Sequence, residues 1–344
     1  MPAVTSGKVL VSGANGFIAS WVIRDLLEKG YSVRGTVRST AKGQHLLDLY
    51  KKYGDKFELV IVEDITKEGA FDEAVKGVDA IEHTASPFHY KTEDPKDYIE
   101  PAVNGTIGIL KSALKNAPTV KRVVVTSSVA SFLNFQPGLQ HLGESDWNTL
   151  SVKELEEKGW DCLGIHKYCA SKTLAERAAW DFARENAVPW DTITVSPPFV
   201  FGYAIHEVDK PENLNESLSV LYKALVKGTT PEAELTQSGN NWIDVRDLAE
   251  AHTRALQKDD AAGHRFIVTA GPHLLQDFIN IAHTLDPSPI PKEKFPPAIP
   301  EDKLPGPTIT YDTTPAQDIL GLTYRTKEET TRDFLTDIAK RGWY

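Results

Sequence analysis

The sequence predicts an α/β protein built on a doubly wound parallel sheet, with a smaller lobe drawn from the C-terminal half. Three observations predict it. Short apolar runs recur at residues 9–11, 32–37, 59–62, 80–83, 123–126 and 192–195, separated by helix-like stretches. Strand and helix in alternation call for parallel strands with helices on both faces. The runs are mostly apolar throughout, as strands covered on both sides are. A glycine-rich turn, Gly13-Ala-Asn-Gly16-Phe-Ile-Ala19, follows the first strand, Lys8-Val-Leu-Val-Ser12, without a gap.

The elements follow in order. In the first helix Ile18, Val22 and Leu26 recur every four residues, with Ala19, Ile23 and Leu27 alongside, which makes one apolar stripe. Lys29-Gly30 ends it with a cation near the C-terminus and a glycine suited to a left-handed cap. In such sheets a ligand lies beyond the carboxyl ends of the strands. The stretch from Ser12 to Gly16, Arg38, Asp64, the residues from His83 to Ser86 and those from Thr126 to Ser128 should therefore ring one crevice. The pattern then loosens. Residues 135–160 read as irregular and polar, and 203–240 have no strong period. The segment from Trp242 to His252 reads as a strand end followed by a helix. Residues 286–307 hold eight prolines and read as a stiff surface loop rather than a partner-binding polyproline segment. The last thirty residues look helical around Phe334 and Ile338. No internal repeat is visible. The expected division is a dinucleotide-binding core of residues 1–202 and 241–263 and a substrate lobe of residues 203–240 and 264–344.

Bulk properties bound the function. The 344 residues carry 38 Lys+Arg against 48 Asp+Glu, a net charge of -10, with 41% hydrophobic and 25% charged residues. That is the composition of an ordinary globular protein, and its charge would repel nucleic-acid and membrane phosphates at long range. There is no signal-peptide pattern at the N-terminus and no apolar run near the ~20 residues of a membrane span. The expectation is a cytoplasmic protein, monomer or homodimer, acting on a small molecule. The two cysteines, Cys162 and Cys169, are too few for a disulfide framework and lack the spacing of a metal site, so they read as small buried residues.

The glycine turn has the chemistry of a pyrophosphate cradle. Gly13 and Gly16 let the backbone approach closely, Asn15 lies between them, and Phe17 and Ile18 open a helix whose N-terminal field favours an anion. Ala19 is small enough for that helix to lie near the strand. The sheet is thus of the Rossmann type. A site that prefers NAD places an acid near the end of the second strand for the ribose 2′-hydroxyl. Here the strand reads Val33-Arg-Gly-Thr-Val-Arg38, and residues 31–47 contain no acid. Arg34, Arg38 and Lys42 stand there instead, which is what a 2′-phosphate wants. The predicted cofactor is NADPH, with Arg38 its foremost cation and Arg34 either a second one or a solvated edge residue. Asp64 is placed either to accept from an adenine amino group or to cap the next helix at Ile65. Thr84, Ala85, Ser86 and Thr126 follow or end strands on the same side.

Tyr168 and Lys172 lie four residues apart and share a face if helical. A free phenol titrates near ~10, and a neighbouring ammonium is expected to lower that value. Ser128, at the end of Arg122-Val-Val-Val-Thr-Ser-Ser128, can donate to a carbonyl oxygen. His83 reads as a strand-end residue rather than a catalyst. By their positions after strand ends, Phe88, Phe132, Leu133, Pro198, Phe199 and Tyr203 are candidate walls of an apolar substrate pocket, or else core.

These pieces together resemble the extended branch of the short-chain dehydrogenase/reductase superfamily. The similar members are fungal NADPH-dependent carbonyl and aldehyde reductases of the methylglyoxal reductase type and plant dihydroflavonol and cinnamoyl-CoA reductases. The matching pieces are Ser12-Gly-Ala-Asn-Gly-Phe-Ile-Ala19, Val33-Arg-Gly-Thr-Val-Arg38, His83-Thr-Ala-Ser-Pro87, Val125-Thr-Ser-Ser128, Tyr168-Cys-Ala-Ser-Lys172 and Pro197-Pro-Phe-Val-Phe-Gly202. The resemblance implies Ser128, Tyr168 and Lys172 as the catalytic triad, and Gly13, Gly16 and Arg38 as cofactor contacts. It also implies that the segment holding Pro197 and Val200 lies beside the nicotinamide. Two departures count against the plant pathways. Cinnamoyl-CoA reductases carry Asn-Trp-Tyr-Cys-Tyr-Gly-Lys around the tyrosine, where this chain has His166-Lys-Tyr-Cys-Ala-Ser-Lys172. Dihydroflavonol reductases place Asn five residues after the serine, where this chain has Leu133 with Asn134 beside it. The expected activity is NADPH-dependent reduction of an aldehyde or ketone. The rivals are an epimerase or hydroxysteroid dehydrogenase of the same superfamily and a sensor that holds NADP(H) without chemistry.

Overall fold

The computed structural model describes residues 2–86 and 96–344. The first half alternates as its sequence suggests: β1 (Lys8–Ser12), α1 (Phe17–Glu28), β2 (Ser32–Val37), α2 (Thr40–Leu49), β3 (Phe57–Ile61), β4 (Ala80–His83), α3 (Lys96–Asn116) and β5 (Arg122–Thr126). There follow β6 (Gln140–Leu142), α4 (Thr149–Lys158), the long α5 (Gly164–Glu185), β7 (Asp191–Ser196), β8 (Phe199–Phe201), α6 (Glu216–Tyr222) and α7 (Glu232–Leu235). The chain closes with β9 (Asn240–Asp244), α8 (Val245–Gln257), β10 (Arg265–Ile267), β11 (Gly271–His273), α9 (Leu275–Thr284), β12 (Ile309–Tyr311), α10 (Thr314–Asp318) and α11 (Lys327–Arg341).

Seven parallel strands form the main sheet in the order β3-β2-β1-β4-β5-β7-β10. The order reverses between β1 and β4, where Ser12 faces His83 in register, and a crevice opens beyond that switch point. Alternate residues sort the two faces. Val9, Val11, Ala80, Val124 and Ile193 bury against α1 and α8; Leu10, Ile81, Val123 and Val125 bury against α3 and α5. Both faces are covered, which is why the strands lack a polar side. Gly30, at φ +93°, turns the chain out of α1 as the sequence suggested.

A second sheet, β8-β9-β11, pairs β8 parallel to β9 and β11 antiparallel to it. Helix α9 covers one of its faces, where Phe201, Trp242 and His273 meet Phe278 with ring centroids 5.2–5.7 Å apart. A two-stranded parallel ribbon of β6 and β12 ties the segment after β5 to the C-terminal region. Residues 286–307 run as short turns, anchored by the buried side chains of Ile290 and Phe295.

Two expectations need correction. Residues 135–160 are not irregular: they contain β6 and α4. Asn148 caps α4 by accepting from Ser151 N at 2.8 Å, and only Ser151, Val152 and Leu155 are buried, too narrow a stripe to show as a period. Residues 203–240, which show no strong period, hold α6, a π-turn at Lys223–Lys227 and α7, each too short to repeat. And β10 is an edge strand of the main sheet, so that sheet extends past residue 263, where the core was expected to end. No helix among the described residues is long and apolar enough to cross a membrane. No group of three or more His, Cys, Asp or Glu able to hold a metal occurs among them.

Candidate active site

The first wall of the crevice is the turn after β1. Gly13 sits at φ +67°, and a Cβ there would lie 3.1 Å from the Cα and Cβ of Ala85. Only glycine lets the turn pass so close to the segment after β4. Ser12 fastens that approach: its hydroxyl accepts from Ala85 N at 3.0 Å, and its carbonyl accepts from the Thr84 hydroxyl. Gly16 is the exposed N-cap of α1, with no side chain capping the helix and no acid in its first turn. Asn15 and Ile18 are half-buried beside it, and Phe17 is buried. The free N–H groups of such a terminus, in a cleft of glycines, suit a pyrophosphate.

Arg38 and Lys42 lie exposed where β2 gives way to α2. Arg34 does not join them. Its guanidinium donates to Glu58 Oε1 at 2.8 Å and to the carbonyls of Ala74 and Lys76, so it serves the sheet edge. Asp64 accepts from the hydroxyl and backbone N of Thr66, bonds that hold its carboxyl below the usual range. It therefore caps a turn at Ile65, and no helix follows. The donors present and the missing acid fit a cofactor with a phosphorylated ribose.

The opposite wall is α5. Tyr168 and Lys172 lie one turn apart, the ammonium 5.9 Å from the phenol ring centroid. The Tyr168 hydroxyl is hydrogen-bonded with Ser128, whose Oγ also accepts from Ala130 N at 3.2 Å. Lys172 Nζ donates to Ser86 Oγ at 2.9 Å. The structure thus brings Ser86, Ser128, Tyr168 and Lys172 together. One expectation about them is overturned. Burial pushes the phenol up to about 12; the Ser128 bond opposes this, and the lysine is not among its causes. Lys172 is itself pushed down to about 8 by burial. Loss of water sets the direction for both groups.

Beneath this wall lies a buried ion pair. Glu176, one further turn along α5, accepts from Arg265 Nε at 2.7 Å, from the Thr194 hydroxyl at 3.1 Å and from the Ser127 hydroxyl. The Arg265 guanidinium lies 3.4 Å from the Trp147 ring centroid and 4.2 Å from that of Phe132, and donates to the carbonyls of Glu144 and Asp146. On the other face of the sheet Glu82 Oε2 lies 2.7 Å from His252 Nδ1, and His252 Nε2 lies 3.1 Å from the Thr126 hydroxyl. The hydroxyl of Thr126 is therefore hydrogen-bonded to α8. Sequence reasoning missed Glu82, Glu176, His252 and Arg265. The one signal was an acid inside the apolar run 80–83.

His83 is buried, with Nδ1 2.9 Å from the Ser12 hydroxyl, and burial pushes it down to about 4, so it stays neutral as a strand-end residue should. Cys162 and Cys169 are free and buried, and burial pushes the Cys169 thiol up to about 12. Of the expected pocket walls, Phe88 lies outside the described residues. Phe132 is corrected: it is fully buried under Arg265, because the turn Val129–Ser131 folds the chain back into the core. Tyr203 stands edge-on to Trp21, centroids 5.0 Å apart, with Arg246 at 5.5 Å, so it packs on α1. Leu133 packs against the small cluster of Phe132 and Leu142. Asn134 accepts from the backbone N of Thr149 and Leu150, at the start of α4. Pro197 lends its carbonyl to Val129 N, and Val200 is core. Pro198 is half-buried, and Phe199, 36% exposed, stacks on Phe201 with centroids 6.1 Å apart.

Residues 9–271 match the model of the NAD dependent epimerase/dehydratase family. The chain belongs to that family. Among family relatives, it is 35% identical over 343 residues to a ketoreductase of Aspergillus niger, covering 97% of this chain and 98% of that one. It is 34% identical over 346 residues to the NADPH-dependent methylglyoxal reductase of Saccharomyces cerevisiae, covering 97% and 98%. The crystal structure of the yeast methylglyoxal/isovaleraldehyde reductase complexed with NADPH superposes with a TM-score of 0.86 at 32% identity, over 98% of this chain and 100% of that one. The resemblance to extended short-chain dehydrogenase/reductases is borne out, and so is the parallel α/β fold.

Proposed function

We propose that this family member is a carbonyl reductase that converts small aldehydes and ketones to alcohols, with Tyr168 as proton donor. At the coarser level it is an NADPH-dependent reductase, like relatives that span its whole length. The observation that carries the finer reading is the Tyr168–Ser128 hydrogen bond one helical turn from Lys172, facing the glycine cradle across the crevice.

The chemistry supplied by bound NADPH is hydride transfer to the carbonyl carbon. Gly13, Asn15, Gly16, Phe17 and Ile18 cradle the pyrophosphate at the N-terminus of α1, and Arg38 and Lys42 meet the 2′-phosphate. Thr84, Ala85, Ser86 and Pro197 line the way to the nicotinamide. Ser128 donates to the substrate oxygen as negative charge gathers there. Tyr168, whose phenol holds its proton throughout the neutral range, gives that proton to the same oxygen, and the alcohol leaves neutral. Lys172 remains an ammonium below about pH 8 and offsets the phenolate left behind. Pro198 and Phe199 form part of the substrate wall. Residues 203–240 and the chain after β10 make up the substrate lobe.

A panel of aldehydes and ketones assayed with NADPH and with NADH tests this. Turnover of NADPH with several carbonyls, and weak turnover of NADH, is the expected outcome. Tight NADPH binding with no turnover on the whole panel would overturn it in favour of the sensor. Interconversion of a sugar nucleotide without net NADPH consumption would favour the epimerase.

A further inference from the structure

Three side chains under the crevice form a hydrogen-bonded row that the proposed chemistry does not use. Glu82 on β4 and Thr126 on β5 project to the same sheet face, and His252 of α8 bridges them, Nδ1 to the carboxylate at 2.7 Å and Nε2 to the hydroxyl at 3.1 Å. Glu82 and His252 are fully buried. Glu82 Oε1 has no hydrogen-bond partner among the described residues. Thr126 ends β5, two residues before Ser128, and is partly open at the crevice edge.

The donors and acceptors of this row are set by one proton. With the carboxylate charged and the imidazole neutral, Nδ1–H donates to Glu82. Nε2 then accepts from the Thr126 hydroxyl, whose hydrogen is used up. When the pair takes up a proton, Nε2 carries a hydrogen in either arrangement of charge and donates to Thr126. The Thr126 hydrogen is then free to donate elsewhere.

We propose that Glu82 and His252 are positioning residues that set the sense of the Thr126 hydroxyl, making Thr126 an acceptor or a donor toward NADPH according to the protonation of the pair. This rests on the reading that NADPH occupies the crevice. Burial pushes the Glu82 carboxyl up to about 7 against the pull of the imidazole, so the change falls near neutral pH. The other groups facing the pair are few. Asp25 of α1 raises Glu82 further, and the Tyr31 phenol senses Glu82 before β2. Arg122, on the same face of β5, is spent on Asp191 and the carbonyls of Ala255, Leu256 and Lys258. Macroscopic titration belongs to the pair rather than to either member.

Nitrogen NMR of the His252 ring in the protein without cofactor reads the pair directly. Between pH 5.5 and 9 the wild type should show Nε2 passing from acceptor to N–H as pH falls, and Glu82→Gln should abolish that transition. A His252 ring that does not change over this range, or that changes identically in Glu82→Gln, overturns the proposal. NADPH affinity, followed by nucleotide fluorescence, gives the second readout. The ratio of dissociation constants at pH 6 and pH 8 should differ between wild type and Thr126→Val by about three- to tenfold, the weight of one net hydrogen bond. Thr126→Ser should restore the wild-type ratio; a Ser variant that behaves as Val does, or equal ratios in all three, also overturns it. If wild-type protein shows the NMR transition but no NADPH affinity at any pH, the cofactor reading fails instead, and with it the role of Thr126 toward NADPH.

Discussion

The main sheet hides a glutamate on each face beneath the end of β5, and the two are housed differently. Glu176, on the α5 face, meets a guanidinium and two hydroxyls. Glu82, on the α8 face, meets one imidazole and leaves an oxygen with no hydrogen-bond partner among the described residues. A guanidinium cannot lose its proton in a protein, so the first pair is permanent. An imidazole can, and burial pushes the Glu82 carboxyl beside it up to about 7. The α5 face also carries Tyr168 and Lys172 on the stripe that ends at Glu176. One face thus holds the proposed proton-transfer residues above a guanidinium pair, and the other holds a carboxyl paired with an imidazole.

The largest expected effect tests the α5 face itself. Tyr168→Phe should lower kcat by about 10²- to 10⁴-fold, the usual span for removing a positioned acid. NADPH affinity should stay within a factor of about three, because the phenol hydroxyl is asked only to move a proton. A variant that keeps near wild-type turnover would strip that face of its role.

Next in size is the fixed pair. Arg265→Met leaves the buried Glu176 carboxyl without its cation, and orphans the carbonyls of Glu144 and Asp146. Breaking a buried pair from one side costs about 3–5 kcal/mol. Urea unfolding at neutral pH should show that loss. A loss under ~1 kcal/mol would mean that the pair is not the permanent clamp its geometry describes.

The contrast between the faces also explains what the sequence could reveal. The glycine turn, the strands and the Tyr168–Lys172 spacing are local patterns, legible because each depends on residues within a turn or two. Glu82 and His252 are 170 residues apart, and Glu176 and Arg265 are 89 apart, so their pairing is written only in the fold. Phe132 was placed by its position after a strand end. The short turn that sends it inward carries no stronger mark than Ser128 as its cap. Helix α4 escaped because three buried residues do not make a period. The proton affinity of Tyr168 turned on how much water the fold removes, which spacing does not encode.

The third prediction concerns the titratable face. Glu82 in the unfolded chain titrates near 4.5 and in the fold near 7. Below the lower value both states are protonated and the group costs nothing. As pH rises between the two values the unfolded chain releases its proton first, so stability falls, and above about 7 the loss is complete. Glu82→Gln should flatten the stability profile between pH 5 and 7. If Glu82→Gln keeps the wild-type slope, the two carboxylates do not differ in the way described.

The smallest effect separates the titrations of the two faces by what each controls. Tyr168 holds its proton to about pH 12, so it cannot set an alkaline limb of reduction in the working range. Lys172, held down to about 8, can. As pH passes 8 its ammonium is lost, the phenolate left after proton transfer goes uncompensated, and kcat should fall by about tenfold per pH unit, equivalent to ~1.4 kcal/mol. In Lys172→Arg the charge persists to far higher pH. The absolute rate of that variant will suffer from the longer, planar head group, so the shape of the profile is the readout, not its height. A limb that moves up by a unit or more assigns the titration to residue 172. A limb that stays near 8 in Lys172→Arg but moves in Glu82→Gln would mean that the support under β5, not the α5 face, governs the rate, and the division of labour between the faces would have to be reversed.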